Sequence, residues 1–300
     1  MQTEPRSGRR TTVDTRHNRR THGGLAVVTS DYEEFDTAPE PLPAEAVRRR
    51  SAVDVHVRFG NADLAGWLLE SLAPQDDEAV LEYGCGVGNL SLPLARALAR
   101  GGSLAAVDFE PQYEKAWEIL EGVAELPVEF KTLEPSDTLP WRDGAFDLAV
   151  AVFTLQFIPD LERSVDELHR LLKAGGRLFV VGGAPDDQAS FRRFYDEIID
   201  CAPQIKEQAL GRDLTTQVLP VLESAFGAGE RSDFTNVLRF PRPVDLVEYF
   251  ASSRLYRELE ADLAARDDLM DTLYHVAEDT IGREGAYTVT RHLSGVLFTR

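Results

Sequence analysis

Lysine is nearly missing from this chain: only four of its 32 basic residues are lysine and the rest are arginine. That bias is a signature of GC-rich bacterial genomes and implies no mechanism. Cysteine is scarcer still. Cys85 and Cys201 alone exclude a disulfide framework and point to a reducing, cytoplasmic setting. No apolar run approaches the roughly 20 residues of a membrane span, so no membrane partner is expected. Positive charge is also short. A net −19 speaks against nucleic acid, whose phosphate backbone selects basic faces. No H-x-x-x-H run or paired-carboxylate run demands a metal, and none is expected.

What is present can bury a large core: 300 residues with 43% apolar content, as one elaborated domain or two small ones. Residues 1–30 stand apart, with six arginines against Glu4 and Asp14 and no apolar signal segment. They read as a disordered tail ahead of an electrostatic arm, and a translation start near Val28 is a further reading. Asp31 to Leu72 looks helical, first through Tyr32 and Phe35 and then from Glu45 onward.

The most informative stretch is Val80-Leu81-Glu82-Tyr83-Gly84-Cys85-Gly86-Val87-Gly88-Asn89. A short apolar strand enters three alternating glycines, and Leu90, Leu92, Leu94, Ala95 and Leu98 begin a helix. Strand, glycine turn and helix open a nucleotide-binding βαβ unit. The glycines give a tight turn and bare backbone for a ligand, and the new helix offers free N–H groups. Asn89 stands where the dinucleotide fingerprint needs its third glycine, and no lysine follows to make a P-loop. A second strand, Ser103 to Asp108, ends in an acid 20 residues after Gly88, placed to accept hydrogen bonds from ribose hydroxyls. Phe109 follows, suited to an adenine face.

The E-x-G-x-G-x-G run from Glu82 to Gly88 resembles motif I of the class I S-adenosylmethionine methyltransferases. The run Phe146-Asp147 to Pro159-Asp160 and the run Leu168 to Leu178 resemble the F-D-x-V…L-H-H-V-P-D and L-x-R-x-L-K-P-G-G-x-L stretches of the type-11, quinone-biosynthesis-like group. Ala174 replaces the proline, and Gln156 and Phe157 replace the two histidines, so no general base carries over to that pair. The resemblance spans roughly residues 75–185, with the flanks alike in layout only.

It implies an α/β, Rossmann-like class I methyltransferase sheet: seven strands, the last pair reversed, helices on both faces, an N-terminal helical cap and a helical lid insertion. The expected layout is a tail over 1–30, a cap over 31–74, a cofactor-binding core over 75–185, a lid over 186–234 and completion of the sheet over 235–300. Within it we expect a helix from Leu161 to Lys173 stopped by Gly175-Gly176, a lid helix Ala189 to Ile199 carrying Phe191, Phe194 and Tyr195, and a hairpin-like end at Tyr287–Thr290 and Gly295–Thr299. His169 is read as a solvated surface residue.

The implied cofactor is S-adenosyl-L-methionine, leaving as S-adenosyl-L-homocysteine. In the family the acidic residue, here Glu82, faces the methionine amino group, and the turn at Gly84, Cys85, Gly86 and Gly88 lies against methionine and ribose. Asp108 and Phe109 follow on ribose and adenine. Ser136 and Asp137 stand near the family's adenine contact, with Pro135 at the expected acid's position, and Phe153 and Gln156 flank cofactor or substrate. His56 and Tyr32 are the candidates for a catalytic role at the acceptor. The expected reaction moves a methyl group to an O or N atom, ahead of a C atom, of a small molecule in specialised metabolism. The Pro-Pro-Tyr tetrad of nucleic-acid amino methylases is absent after the fourth strand. Non-methylating catalysis such as cyclisation, a non-catalytic binding module, and homodimerisation stay open.

Overall fold

The computed structural model describes residues 54–98, 101–121, 126, 128–135, 137–189, 191, 211–258 and 263–300. The tail, the Tyr32/Phe35 segment, Ser136, Phe194 and Tyr195 lie outside the described residues.

The apolar runs form one mixed sheet. Its strands are β1 (Ala79–Tyr83), β2 (Ser103–Asp108), β3 (Val128–Thr132), β4 (Phe146–Val152), β5 (Leu172–Gly183), β6 (Glu230–Phe240) and β7 (Tyr287–Thr299). Their spatial order is β3-β2-β1-β4-β5-β7-β6. The first five are parallel and β7 runs antiparallel to both its neighbours, the reversed final pair that was expected. Parallel strands covered on both faces read as continuous apolar runs, and the middle of β1, β2 and β4 is buried accordingly. Strand order reverses between β1 and β4, so their carboxyl ends open a crevice where such sheets hold ligands.

The linking helices follow local signals. In α1 (Leu64–Leu72), Asp63 caps the N-terminus by accepting from the Gly66 N–H. Trp67 stacks on Phe234 at 5.1 Å and meets the Phe179 edge at 6.1 Å, which seats α1 over the β5 and β6 side of the sheet. Helix α2 (Ser91–Ala97) leaves the glycine turn, and α3 (Glu114–Glu121) follows a short 3₁₀ turn opened by Pro111. Helix α4 (Leu161–Leu171) carries buried Leu161, Val165 and Leu168 at helical spacing, and Asp160 caps it through the Arg163 N–H. Then come α5 (Leu219–Phe226), α6 (Pro243–Ala251), α7 (Arg254–Glu258) and α8 (Leu263–Glu284). The last three fall between β6 and β7. Among the described residues, no helix is long and apolar enough to cross a membrane.

Several expectations are corrected. The helical stretch ending at Leu72 is broken at Gly60 to Asp63, because the Asn61 and Ala62 N–H groups turn to the Asn236 side chain. Helix α4 stops at Leu171, and Gly175-Gly176 fall inside the extended β5 segment rather than capping the helix. The closing hairpin is one continuous strand: β7 pairs with β6 along Tyr287–Leu297 and with β5 along Leu293–Thr299, so a mid-strand turn would lose both ladders. Strand β6 begins at Glu230, inside the segment expected as lid. Phe191 is buried, its ring 6.1 Å from Tyr249 and 5.8 Å from Phe250, in a second core with Leu238, Phe240 and Val289. His169 is half-buried against the Phe226 ring at 5.1 Å, where burial lowers its basicity.

Candidate functional site

The crevice is built on the β1 turn. The Gly84 and Cys85 N–H groups both donate to the Val107 carbonyl, which ties the turn to the end of β2. The three turn glycines have different surroundings. A Cβ on Gly84 would fall 2.1 Å from Thr154 Oγ1, and one on Gly88 would fall 2.0 Å from Leu120 Cδ1. A Cβ on Gly86 would meet nothing within 4 Å. Gly84 and Gly88 are thus glycines because protein fills the space, and Gly86 presents bare backbone to open space. The Trp117 indole N–H anchors its carbonyl at 2.7 Å.

Two carboxylates flank that gap. Glu82, buried at the end of β1, accepts the Ser91 hydroxyl at 2.5 Å. Burial, with Asp108 nearby, outweighs that bond and raises its pKa from 4.5 to about 8. Asp108, buried at the end of β2, accepts the N–H groups of Gly86 (2.6 Å), Phe109 (2.7 Å) and Glu110 (3.1 Å). Desolvation raises its pKa and the three backbone donors hold the shift back. A carboxylate has about four lone-pair sites, so one acceptor position stays open beside the Gly86 gap. Phe109 packs edge-on against Tyr83 at 5.1 Å. Cys85 is buried and its thiol pKa is pushed well up by desolvation and the two acids, so it is a neutral wall of the turn.

The β4 end closes the other side. Phe153 holds φ +54°, a left-handed conformation that a bulky side chain adopts only when its surroundings impose it. Its N–H donates to the Val181 carbonyl at 2.9 Å, and the Arg291 guanidinium lies 5.7 Å from its ring centre. Arg291 is mostly buried. It pairs with Asp187 through Nε–Oδ1 at 2.8 Å and Nη2–Oδ2 at 3.1 Å, and donates to the Tyr249 hydroxyl at 3.2 Å. That hydroxyl donates in turn to Gln188 Oε1 at 2.9 Å. Gln156 is buried, and its Oε1 has no hydrogen-bond partner among the described residues.

Other expected site residues lie elsewhere. Asp137 is exposed and closes its own turn, accepting the Glu134 N–H at 3.0 Å. His56 is buried with Nδ1 3.0 Å from the Asn236 amide, and desolvation plus Arg291 lowers its pKa to about 3. That is a poor setting for a proton acceptor near neutrality. Sequence reading passed over Ser91, Thr154, Trp117 and the Arg291–Asp187 pair, whose partners are distant in sequence; for Gly84 and Gly88 the glycines themselves were the only signal of a close neighbour.

Comparison with known proteins places this geometry in a class. Residues 81–180, a third of the chain, match the methyltransferase domain family. The sheet as a whole has the class I methyltransferase fold. It superposes on a Bacillus halodurans protein described as a methyltransferase with a TM-score of 0.54 at 16% identity, covering 79% of this chain and 99% of that one. Among curated proteins it is similar to the demethylmenaquinone methyltransferase of Desulfitobacterium hafniense, 28% identical over 134 residues, 43% of this chain and 53% of the relative. It is also similar to the ubiquinone biosynthesis O-methyltransferase of Xylella fastidiosa, 34% identical over 107 residues, 36% of this chain and 42% of the relative. The chain thus spans about half the length of the curated relatives it matches.

Proposed function

We propose that the protein is an S-adenosylmethionine-dependent methyltransferase acting on an O or N atom of a small-molecule acceptor. One observation carries this reading: the only open glycine of the β1 turn, Gly86, lies between two buried carboxylates at the tips of β1 and β2. The donor set suits the cofactor. Glu82 meets an ammonium group, the free acceptor position of Asp108 meets a ribose hydroxyl, and the bare Gly86 backbone lets the chain between them lie close. When bound, the cofactor supplies a methyl group on a positively charged sulfonium.

The protein's own contribution is alignment and exclusion of water. The Glu82 carboxylate, charged once it faces a cation, holds one end; Asp108 holds the other; Thr154 and Phe153 form the wall at the β4 tip. The polar network of Arg291, Asp187, Tyr249 and Gln188 stands behind Phe153 as one boundary of the acceptor space. His56, neutral at pH 7, serves that boundary as a fixed dipole through Asn236 and not as a base. An acceptor with an acidic hydroxyl or an uncharged amine suits such a site, because it needs no strong base. The similarity to quinone-pathway methyltransferases supports a small aromatic acceptor.

Calorimetric titration with S-adenosylhomocysteine, beside Asp108→Ala and Glu82→Ala, tests the reading. Micromolar binding weakened severalfold or more in both variants is expected. A folded wild-type protein that binds none refutes it.

A further inference from the structure

The segment between β6 and β7 builds the second core at the far edge of the sheet, yet one turn of it reaches back to the crevice. In α7, Arg257 Nη1 contacts both carboxylate oxygens of Glu110, at 2.9 and 2.8 Å. The pair is partly buried, with side-chain exposures of 17% and 30%. One turn earlier, the Arg254 guanidinium sits 4.5 Å from the Phe157 ring centre. Residues three apart share a helix face, so both arms leave α7 on the same side.

Their anchors come from different loops. Glu110 follows β2, and Phe157 follows β4. In the sheet those strands are the two neighbours of β1 and stand about 10 Å apart, two strand spacings. The glycine turn lies between them. Each anchor is also coupled to the site: the Glu110 N–H donates to Asp108 Oδ1, and the Phe157 N–H donates to the Thr154 carbonyl, beside Gly84.

We infer that α7 is a strap across the cofactor crevice and that Arg257 and Arg254 are positioning residues of the cofactor site, acting through Glu110 and Phe157. A ligand seated against Gly86 lies beneath the strap, so both contacts part before it leaves. The strap therefore sets the residence time of S-adenosylhomocysteine. Arg257, through Glu110, also steadies the loop that aims Asp108. This inference rests on the cofactor reading above.

The test is the dissociation rate of S-adenosylhomocysteine from the full chain, followed by stopped-flow displacement in the wild type, Arg257→Met, Glu110→Gln, their double variant and Arg254→Met. A partly buried, charge-assisted contact corresponds to an off-rate about fivefold to tenfold faster when removed. The double variant is expected to be no faster than either single, since one contact is lost in all three. A second measurement varies salt: between low and roughly 0.5 M salt, which weakens this partly exposed pair, the wild-type off-rate rises, and in Glu110→Gln the rise is smaller. Off-rates within twofold of wild type, or a salt response equal in wild type and Glu110→Gln, overturn the strap while leaving cofactor binding intact. A folded wild type that binds no S-adenosylhomocysteine overturns the cofactor reading and, with it, the strap.

Discussion

Glu82 gives the sharpest prediction because its burial and its proposed role pull in opposite directions. Without a cation opposite it, the buried carboxyl keeps its proton up to a pKa of about 8, against an ordinary 4.5. The folded chain therefore binds more protons than the unfolded chain between those values, and stability falls as pH rises through that window. Integrated between pH 5 and 7, the loss from this one group is about 2–3 kcal/mol, and it continues more slowly above pH 8. Glu82→Gln, which keeps the hydrogen bond from Ser91 and removes the titration, is expected to raise the apo melting temperature at pH 7–8 and to flatten its pH dependence.

Binding reverses the balance. An ammonium group beside Glu82 favours the charged carboxylate, so the group, about 90% protonated at pH 7, releases its proton as the ligand enters. Titration with S-adenosylhomocysteine at pH 7, in buffers of different ionisation enthalpy, is expected to show close to one proton released per site. At pH 9.5 the carboxyl is already ionised and its release falls toward zero. In Glu82→Gln this release is absent, and the variant binds less tightly while melting higher. Equal proton release in wild type and Glu82→Gln, or a variant less stable than wild type at pH 8, refutes the argument that this buried acid waits for a cation.

Other outcomes follow from the same geometry. Gly84→Ala meets Thr154 at a positive φ and is expected to destabilise the fold by ~2–3 kcal/mol in chemical denaturation. Gly86→Ala has space for its methyl and is expected to cost only about 1 kcal/mol, yet to weaken S-adenosylhomocysteine tenfold or more in calorimetry; a variant that binds normally removes Gly86 from the site. Arg291→Met leaves Asp187, mostly buried, without its cation and with the His292 N–H as a remaining donor, and is expected to cost about 2–4 kcal/mol. Adding Asp187→Asn is expected to recover part of that loss in thermal unfolding; a strictly additive double variant contradicts the pairing.

The fold was legible wherever one strand and its following turn carry the signal alone. The buried runs of β1, β2, β4 and β5, set between longer intervening segments, imply a parallel sheet, and Glu82, the glycine turn and Asp108 fall on adjacent strand tips because βαβ geometry leaves few alternatives. Where two elements share a residue, the pattern misled. Leu172 completes the apolar stripe of α4 in sequence, but it pairs with Phe146 in the sheet. Gly295, expected to open the second arm of a hairpin, sits inside continuous β7 and makes room for the Phe179 ring, whose Cζ would lie 2.5 Å from a Cβ there. Periodicity reports which side chains are apolar and is silent about which neighbour buries them.

The same limit explains why half of the candidate site was hidden. Glu82 and Asp108 carry their own signal, since a carboxylate ending an apolar strand is costly unless something compensates it. Arg291, Tyr249 and the adjacent Asp187 and Gln188 lie on three separate segments, each reading alone as ordinary polar positions. Only the reversal of β7 brings Arg291 beneath the left-handed Phe153. Arg254 and Arg257 likewise carry no local signal of their partners. Their reach to both sides of β1 exists because the β6–β7 connection doubles back across the strand tips. Chemistry anchored to one βα unit is written locally; chemistry assembled by the closing strand of a sheet is written in the topology, and a single sequence exposes it only once that topology is known.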